Sequence, residues 1–174
     1  MEDRKKLYFI YNPHAGREQI RTKLSAILQI FSSAGYELTV YPTKESQDAV
    51  RQIRDLPPGY DLVVCSGGDG TMDEVVEGMM QREEKLPIGY IPAGTVNDFA
   101  RSLKIPRDML RAARIAVGGR DFPCDMGTFN QEHFVYIAAF GIFTDVAYST
   151  RQNMKNVLGH MAYLLEGVKR LTNI

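Results

Sequence analysis

An α/β fold, with a parallel sheet covered by helices on both faces, is what this 174-residue sequence predicts. Three observations carry it. Short apolar runs alternate with stretches of helical spacing through the first 117 residues. Clusters of Gly, Pro, Asn and Asp close most of the apolar runs. Three of those closing loops are polar and glycine-bearing, which suits the carboxyl edge of a parallel sheet, where ligands of such folds bind.

The elements follow in order. Residues 7–11 (Leu-Tyr-Phe-Ile-Tyr) read as a buried strand, stopped by the turn cluster Asn12-Pro13-His14-Ala15-Gly16. Ile20, Leu24, Ile27, Leu28, Phe31 and Ala34 recur at helical spacing, and Gly35 ends that helix. Residues 37–41 form a second strand and 46–54 a second helix, broken at Pro57-Pro58-Gly59. A third strand over 61–65 closes in Ser66-Gly67-Gly68-Asp69-Gly70-Thr71, and a helix over 72–81 follows. The fourth strand, 88–91, ends at Pro92-Ala93-Gly94-Thr95 and leads into helices over 96–103 and 107–117.

After Gly118-Gly119 the pattern changes. Residues 122–127 and 134–139 are strand-like around a turn at Asn130-Gln131, and Val157, Met161, Leu164, Leu165, Val168 and Leu171 make one stripe of a long helix. The expected organisation is an α/β domain over residues 1–120 and the truncated beginning of a β-rich second domain over 121–174. No internal repeat is present.

Composition excludes several classes. The chain is 44% hydrophobic and 24% charged, as a globular core requires, and its 21 basic residues balance 21 acidic ones. No overall charge points to nucleic acid. Cys65 and Cys124 have neither metal-ligand nor redox spacing, which implies a reducing cytoplasm. The amino terminus lacks the apolar region of a signal peptide. The apolar stretch at 136–143 falls far short of the ~20 residues of a membrane span.

The chemistry lies in three loops, 12–16, 67–71 and 94–98. Their glycines let backbone N–H groups approach oxygen atoms closely, and helix starts add favourable dipoles, a combination suited to a polyphosphate. Gly67-Gly68-Asp69-Gly70-Thr71 has neither the Lys nor the spacing of a P-loop, and Asp73 stands where a dinucleotide fingerprint needs its third glycine. A carboxylate inside such a loop repels phosphate unless a metal ion or water lies between, which points to Mg-ATP. Both later loops also read as helix caps: Thr71-x-x-Glu74 fits a capping box and Thr95-x-x-Asp98 resembles one.

Gly67-Gly68-Asp69-Gly70-Thr71, paired with Pro92-Ala93-Gly94-Thr95-Val96-Asn97-Asp98-Phe99-Ala100-Arg101, resembles the diacylglycerol kinase catalytic domain, and most nearly the soluble kinases of Gram-positive bacteria. The likeness extends to Tyr11-Asn12-Pro13, Gly35-Tyr36-Glu37, Asp125-Met126-Gly127 and residues 159–167. It implies an NAD-kinase/phosphofructokinase-like three-layer sheet and transfer of the γ-phosphoryl group of ATP to diacylglycerol, giving phosphatidic acid for phospholipid synthesis. It implies ATP contacts from Asn12, Pro13, His14, Ala15, Gly16, Thr43, Gly67, Gly68, Asp69, Gly70, Thr71, Met72, Asp73 and Thr95. It also implies an acidic network of Asp69, Asp98 and Asp125 that arranges Mg²⁺, water and phosphate, and it leaves room for peripheral membrane association and a homodimer.

Two departures stand out. Arg17 replaces the Lys of the nearest relatives and could pair with Asp125, although Arg and Lys are not freely exchangeable. The family's general-base glutamate and structural Mg²⁺ site have no counterpart in these residues, so the chain alone is expected to bind nucleotide and to be weak as a kinase. Asp125 also fits a strand-turn cap, and Asp145 a solvated loop. Residues 140–143 could face lipid or simply fill core. His14 and His160 receive no catalytic role. Two competitors remain: a kinase of the same fold acting on a sphingoid base, NAD or a sugar phosphate, and a non-catalytic nucleotide-binding or dimerisation module.

Overall fold

Four strands carry the sheet: β1 (Lys6–Tyr11), β2 (Glu37–Pro42), β3 (Leu62–Gly67) and β4 (Ile88–Pro92). In the computed structural model, which describes residues 4–16, 19–129 and 132–134, they lie in the order β2-β1-β3-β4 and every pair is parallel. The central strands β1 and β3 read as largely apolar runs because they are covered on both faces, whereas the edge strand β2 is mostly exposed. In β1, Tyr8 and Ile10 enter one core and Leu7 and Phe9 the other. All six residues of β3 are buried.

Helices α2 (Asp48–Arg54) and α3 (Asp69–Met80) cover the first face. There Ala49, Ile53, Val75, Val76 and Met79 pack with Val63 and Cys65, and the short α4 (Asp98–Ser102) adds Phe99 and Ala100. Helices α1 (Ile20–Ser33) and α5 (Met109–Gly118) cover the second face through Ile27, Phe31, Met109, Ala112 and Ala113. Phe31 meets Phe9 edge-on at 5.3 Å between ring centroids. Each fully buried side chain of this size contributes about 1.5–3 kcal/mol of apolar burial. The three layers expected from sequence are present.

The connections have local causes. The last turn of α1 closes as a Schellman motif: Tyr36 N donates to Phe31 O (3.3 Å) and Gly35 N to Ser32 O (3.0 Å). Gly35 supplies the required φ of +89°. Asp48, buried at the start of α2, accepts from Lys44 N at 2.8 Å. Asp108 caps α5 by accepting from Arg111 N at 2.8 Å.

Several expected boundaries shift. β3 runs two residues further, to Gly67, and α3 begins at Asp69 rather than near residue 72. The capping box at Thr71 is therefore wrong: Gly68 is the N-cap and Thr71 lies within the first turn. Thr95 does not cap α4 either, because Asn97 occupies that position at φ 56°. The strand expected over 122–127 is displaced. Residues 121–126 have no regular structure, and β5 (Gly127–Phe129) pairs antiparallel with β6 (Glu132–Phe134). Phe122 is 73% exposed, so its apolar character marks no strand face.

Asn130 and Gln131, where the turn is expected, lie outside the described residues, as do Arg17, residues 135–139, residues 140–143, Asp145, the helix over 157–171 and His160. The described residues all fall within the unit Met1–Tyr136; the second unit, Ile137–Ile174, is outside them. β6 is tied to α3 through Glu77, whose carboxylate accepts from His133 N at 2.7 Å and meets His133 Nδ1 at 3.1 Å. Burial alone would raise the Glu77 carboxyl. The bonds from His133 and Gln81 outweigh it and hold the group below its ordinary value. No described helix is long and apolar enough to cross a membrane.

Candidate functional site

The strand order makes β1 and β3 neighbours whose connections leave in opposite directions, so a crevice opens beyond their carboxyl ends. The loops after β1, β3 and β4 all reach it. Asn12 N donates to Ser66 O at 2.9 Å, which aligns the first loop with the end of β3. The Asn12 side chain works in both directions: Oδ1 accepts from His14 N at 2.9 Å, an Asx turn, and Nδ2 donates to Thr71 Oγ1 at 3.4 Å. Thr43 N donates to Tyr11 O at 2.9 Å, which holds Thr43 beside the same rim.

The glycines explain how closely the loops approach. Gly16 has φ +55°, and a Cβ there would lie 2.3 Å from Ala93 O. A Cβ on Gly94 would lie 2.5 Å from the Gly68 Cα and 2.7 Å from Asn97 Oδ1. Three loops from distant parts of the sequence thus touch through backbone, with no room for side chains. Gly67 O accepts from both Ala93 N (2.8 Å) and Gly94 N (3.2 Å), and from Tyr90 Oη at 3.2 Å. Burial, then the nearby Cys65, Asp69 and Asp73, push the Tyr90 phenol well above its ordinary range, so this group stays a hydrogen-bond donor.

Asp69 joins the second and third loops. Its carboxylate accepts from Asp98 N at 3.0 Å and from Phe99 N at 3.2 Å, the first two N–H groups of α4. A negative group at a helix start satisfies donors that have no partner inside the helix and opposes its dipole. Asp98 carries its own charge beside that start and pairs with Arg101 at 3.1 Å. Asn97, which the sequence reading did not assign to the site, is 7% exposed. It braces the third loop by accepting from Gly94 N (2.9 Å) and donating to Gly94 O (2.7 Å). Its signal was available: an Asn before a short helix is a residue that tolerates left-handed φ.

The remaining expected residues divide. Pro13 and Asp73 are half-buried, Ala15, Thr71 and Met72 are buried, and His14 and Gly70 are exposed. Thr95 is half-buried in the third loop. Asp125 sits exposed in the irregular segment before β5, and among the described residues no hydrogen bond or ion pair joins it to Asp69 or Asp98. Among the described residues no three acidic, Cys or His side chains gather as a metal cage. The start of α3 carries no side-chain cap, and backbone N–H donors at a helix start suit phosphate oxygens.

The diacylglycerol kinase catalytic domain profile matches residues 6–129, which include all of these loops. The chain belongs to that family. It is 39% identical over 172 residues to a diacylglycerol kinase of Bacillus subtilis (strain 168), covering 98% of this chain and 57% of the relative. To a diacylglycerol kinase of Staphylococcus carnosus (strain TM300) it is 37% identical over 169 residues, covering 97% of this chain and 55% of the relative. The crystal structure of a diacylglycerol kinase from Bacillus anthracis superposes with a TM-score of 0.69 at 32% identity, covering 77% of this chain and 47% of that one. The chain thus spans about half the length of the diacylglycerol kinases it matches.

Ser66 is fully buried near the end of β3, and among the described residues its Oγ has no hydrogen-bond partner.

Proposed function

We propose that this chain is the nucleotide-binding part of an ATP-dependent kinase that phosphorylates diacylglycerol to phosphatidic acid. One observation carries the nucleotide half of the reading: Gly16 on Ala93 and Gly94 on Gly68 bring three loops into backbone contact at the sheet's topological switch point. Family membership supports the acceptor.

In this reading the loop 12–16 and the start of α3 hold the ATP phosphates through N–H groups. Gly68 leaves that helix start without a side-chain cap, so its first-turn donors are free for an anion. Thr43 and Thr95 flank the nucleotide. Asp69 positions α4, and with it Asp98, at the reacting end, and Asp125 completes the acidic group. Mg²⁺, bound with ATP, neutralises charge on the transferred phosphoryl group. Residues 1–120 make up the nucleotide domain and 121–174 begin the second, β-rich one. The enzyme works from the cytoplasm on lipid at a membrane surface and feeds phospholipid synthesis.

The acceptor is tested with labelled ATP, Mg²⁺ and a panel of dispersed diacylglycerol, a sphingoid base and NAD. Label is expected on diacylglycerol in preference to the others. Label confined to NAD or to the sphingoid base would assign a different kinase of the same fold.

A further inference from the structure

Among the described residues Asp48 is the one buried acid, at 4% exposure. Burying a carboxylate costs free energy unless hydrogen bonds or cations compensate it. The only cation paired with it among the described residues is Arg51, half exposed and 3.5 Å away. Its hydrogen bonds are the stronger partners, and they do not serve its own helix. The N-cap of α2 is Gln47, which makes no side-chain cap bond. The Asp48 carboxylate reaches back along the chain instead. Lys44 N donates to Oδ2 at 2.8 Å, and Tyr41 Oη lies 3.3 Å from Oδ2 and 3.4 Å from Oδ1.

Those two donors bracket Thr43. Thr43 N in turn donates to Tyr11 O, at the end of β1, at 2.9 Å. A short chain of bonds therefore runs from the buried carboxylate, through the residues on either side of Thr43, to the rim of the crevice. The loop that makes this return is bent at Gln47, whose φ of 64° is a conformation that residues with a side chain rarely adopt. Such strain persists where surrounding contacts over-determine it, and it clusters at ligand sites. A helix start alone needs only a small polar residue such as Ser or Asn. A buried carboxylate bonded to residues 41 and 44 serves the loop.

We propose that Asp48 is a positioning residue of the nucleotide site, holding the loop between β2 and α2 so that Thr43 meets the bound nucleotide. The inference rests on the reading that places Thr43 beside ATP.

The test is calorimetric titration of ATP into the chain and its variants, well below the melting temperature of each. Asp48→Ser keeps a residue favoured at helix starts but is too short to reach Lys44 N. It should weaken ATP binding roughly tenfold, within the usual range for coupled positions. Asp48→Asn retains an acceptor oxygen at the same reach and should restore most of that affinity. Ile53→Val, a core change on the same helix, should lower the melting temperature and leave ATP affinity unchanged. Thr43→Ala should weaken binding as Asp48→Ser does. The double variant should bind no more weakly than either single one, because both act through one contact. Tyr41→Phe removes only the hydroxyl on Asp48 and gives the same comparison with the core intact: a smaller loss, absent once Thr43 is replaced. Full affinity in Asp48→Ser or Tyr41→Phe, an Asn variant as weak as the Ser one, or additive losses in the double variant would overturn the inference. Thr43→Ala with wild-type affinity would instead remove Thr43 from the nucleotide site and strike the reading beneath it.

Discussion

Asp69→Ala is expected to cost about 1–3 kcal/mol of folding stability, the scale for removing a charged acceptor from part-buried donors. The loss arises because Asp98 N and Phe99 N, now bonded to its two oxygens, keep no partner at the start of α4. Asp69→Asn retains one acceptor oxygen and should fall between wild type and Ala. Urea unfolding separates the three proteins. In the proposed kinase reaction, turnover should drop by ~10²-fold or more for Asp69→Asn, the scale for losing a charge-stabilising group. That drop should exceed what the stability loss explains. A variant as stable as wild type would show that the α3–α4 clamp carries no weight, and unchanged turnover would remove Asp69 from the mechanism.

The glycines offer a second dissection, because two of them in the same rim have opposite surroundings. Gly94→Ala places a Cβ 2.5 Å from backbone of Gly68, which cannot yield as a flexible side chain would. The loops must part, at about 1–3 kcal/mol, the usual range for overpacking. ATP affinity should fall with it. Gly70 has no atom within 4 Å of its missing Cβ and lies exposed in the first turn of α3. Fold packing gives no reason for glycine there. Gly70→Leu should leave stability equal or raised by up to about 1 kcal/mol, since glycine disfavours a helix. It should nonetheless weaken ATP binding by roughly tenfold or more, the factor that 1.4 kcal/mol represents. Thermal melts and nucleotide titrations on the two variants decide this. Gly70→Leu with wild-type affinity would mean that phosphate does not lie over that turn.

Much of this was legible in the chain. β1 and β3 are buried on both faces, and burial of that kind writes continuous apolar runs that need no tertiary knowledge to recognise. The three loops announced themselves through glycine, because the close approach at Gly16 and Gly94 leaves no alternative residue. The start of α3 was less legible. Gly68-Asp69-Gly70 lowers helix propensity locally, and only the extended backbone of Gly68 fixes where the helix begins. The pairing of Asp69 with α4 spans 29 and 30 positions, and that of Glu77 with His133 spans 56. Neither has a periodicity to betray it. Asp125 matched its motif, but the exposed segment that carries it has no regular structure from which a position could be read.

The account turns on where the nucleotide sits, and backbone amide shifts under Mg-ATP titration report that residue by residue. Saturable changes are expected in residues 12–16, at Thr43, and in 67–73 and 94–98, with the outer face of α5 silent. Shifts confined to the opposite end of the sheet, in the groove lined by Lys6, Glu37, Thr39 and Tyr60, would contradict it.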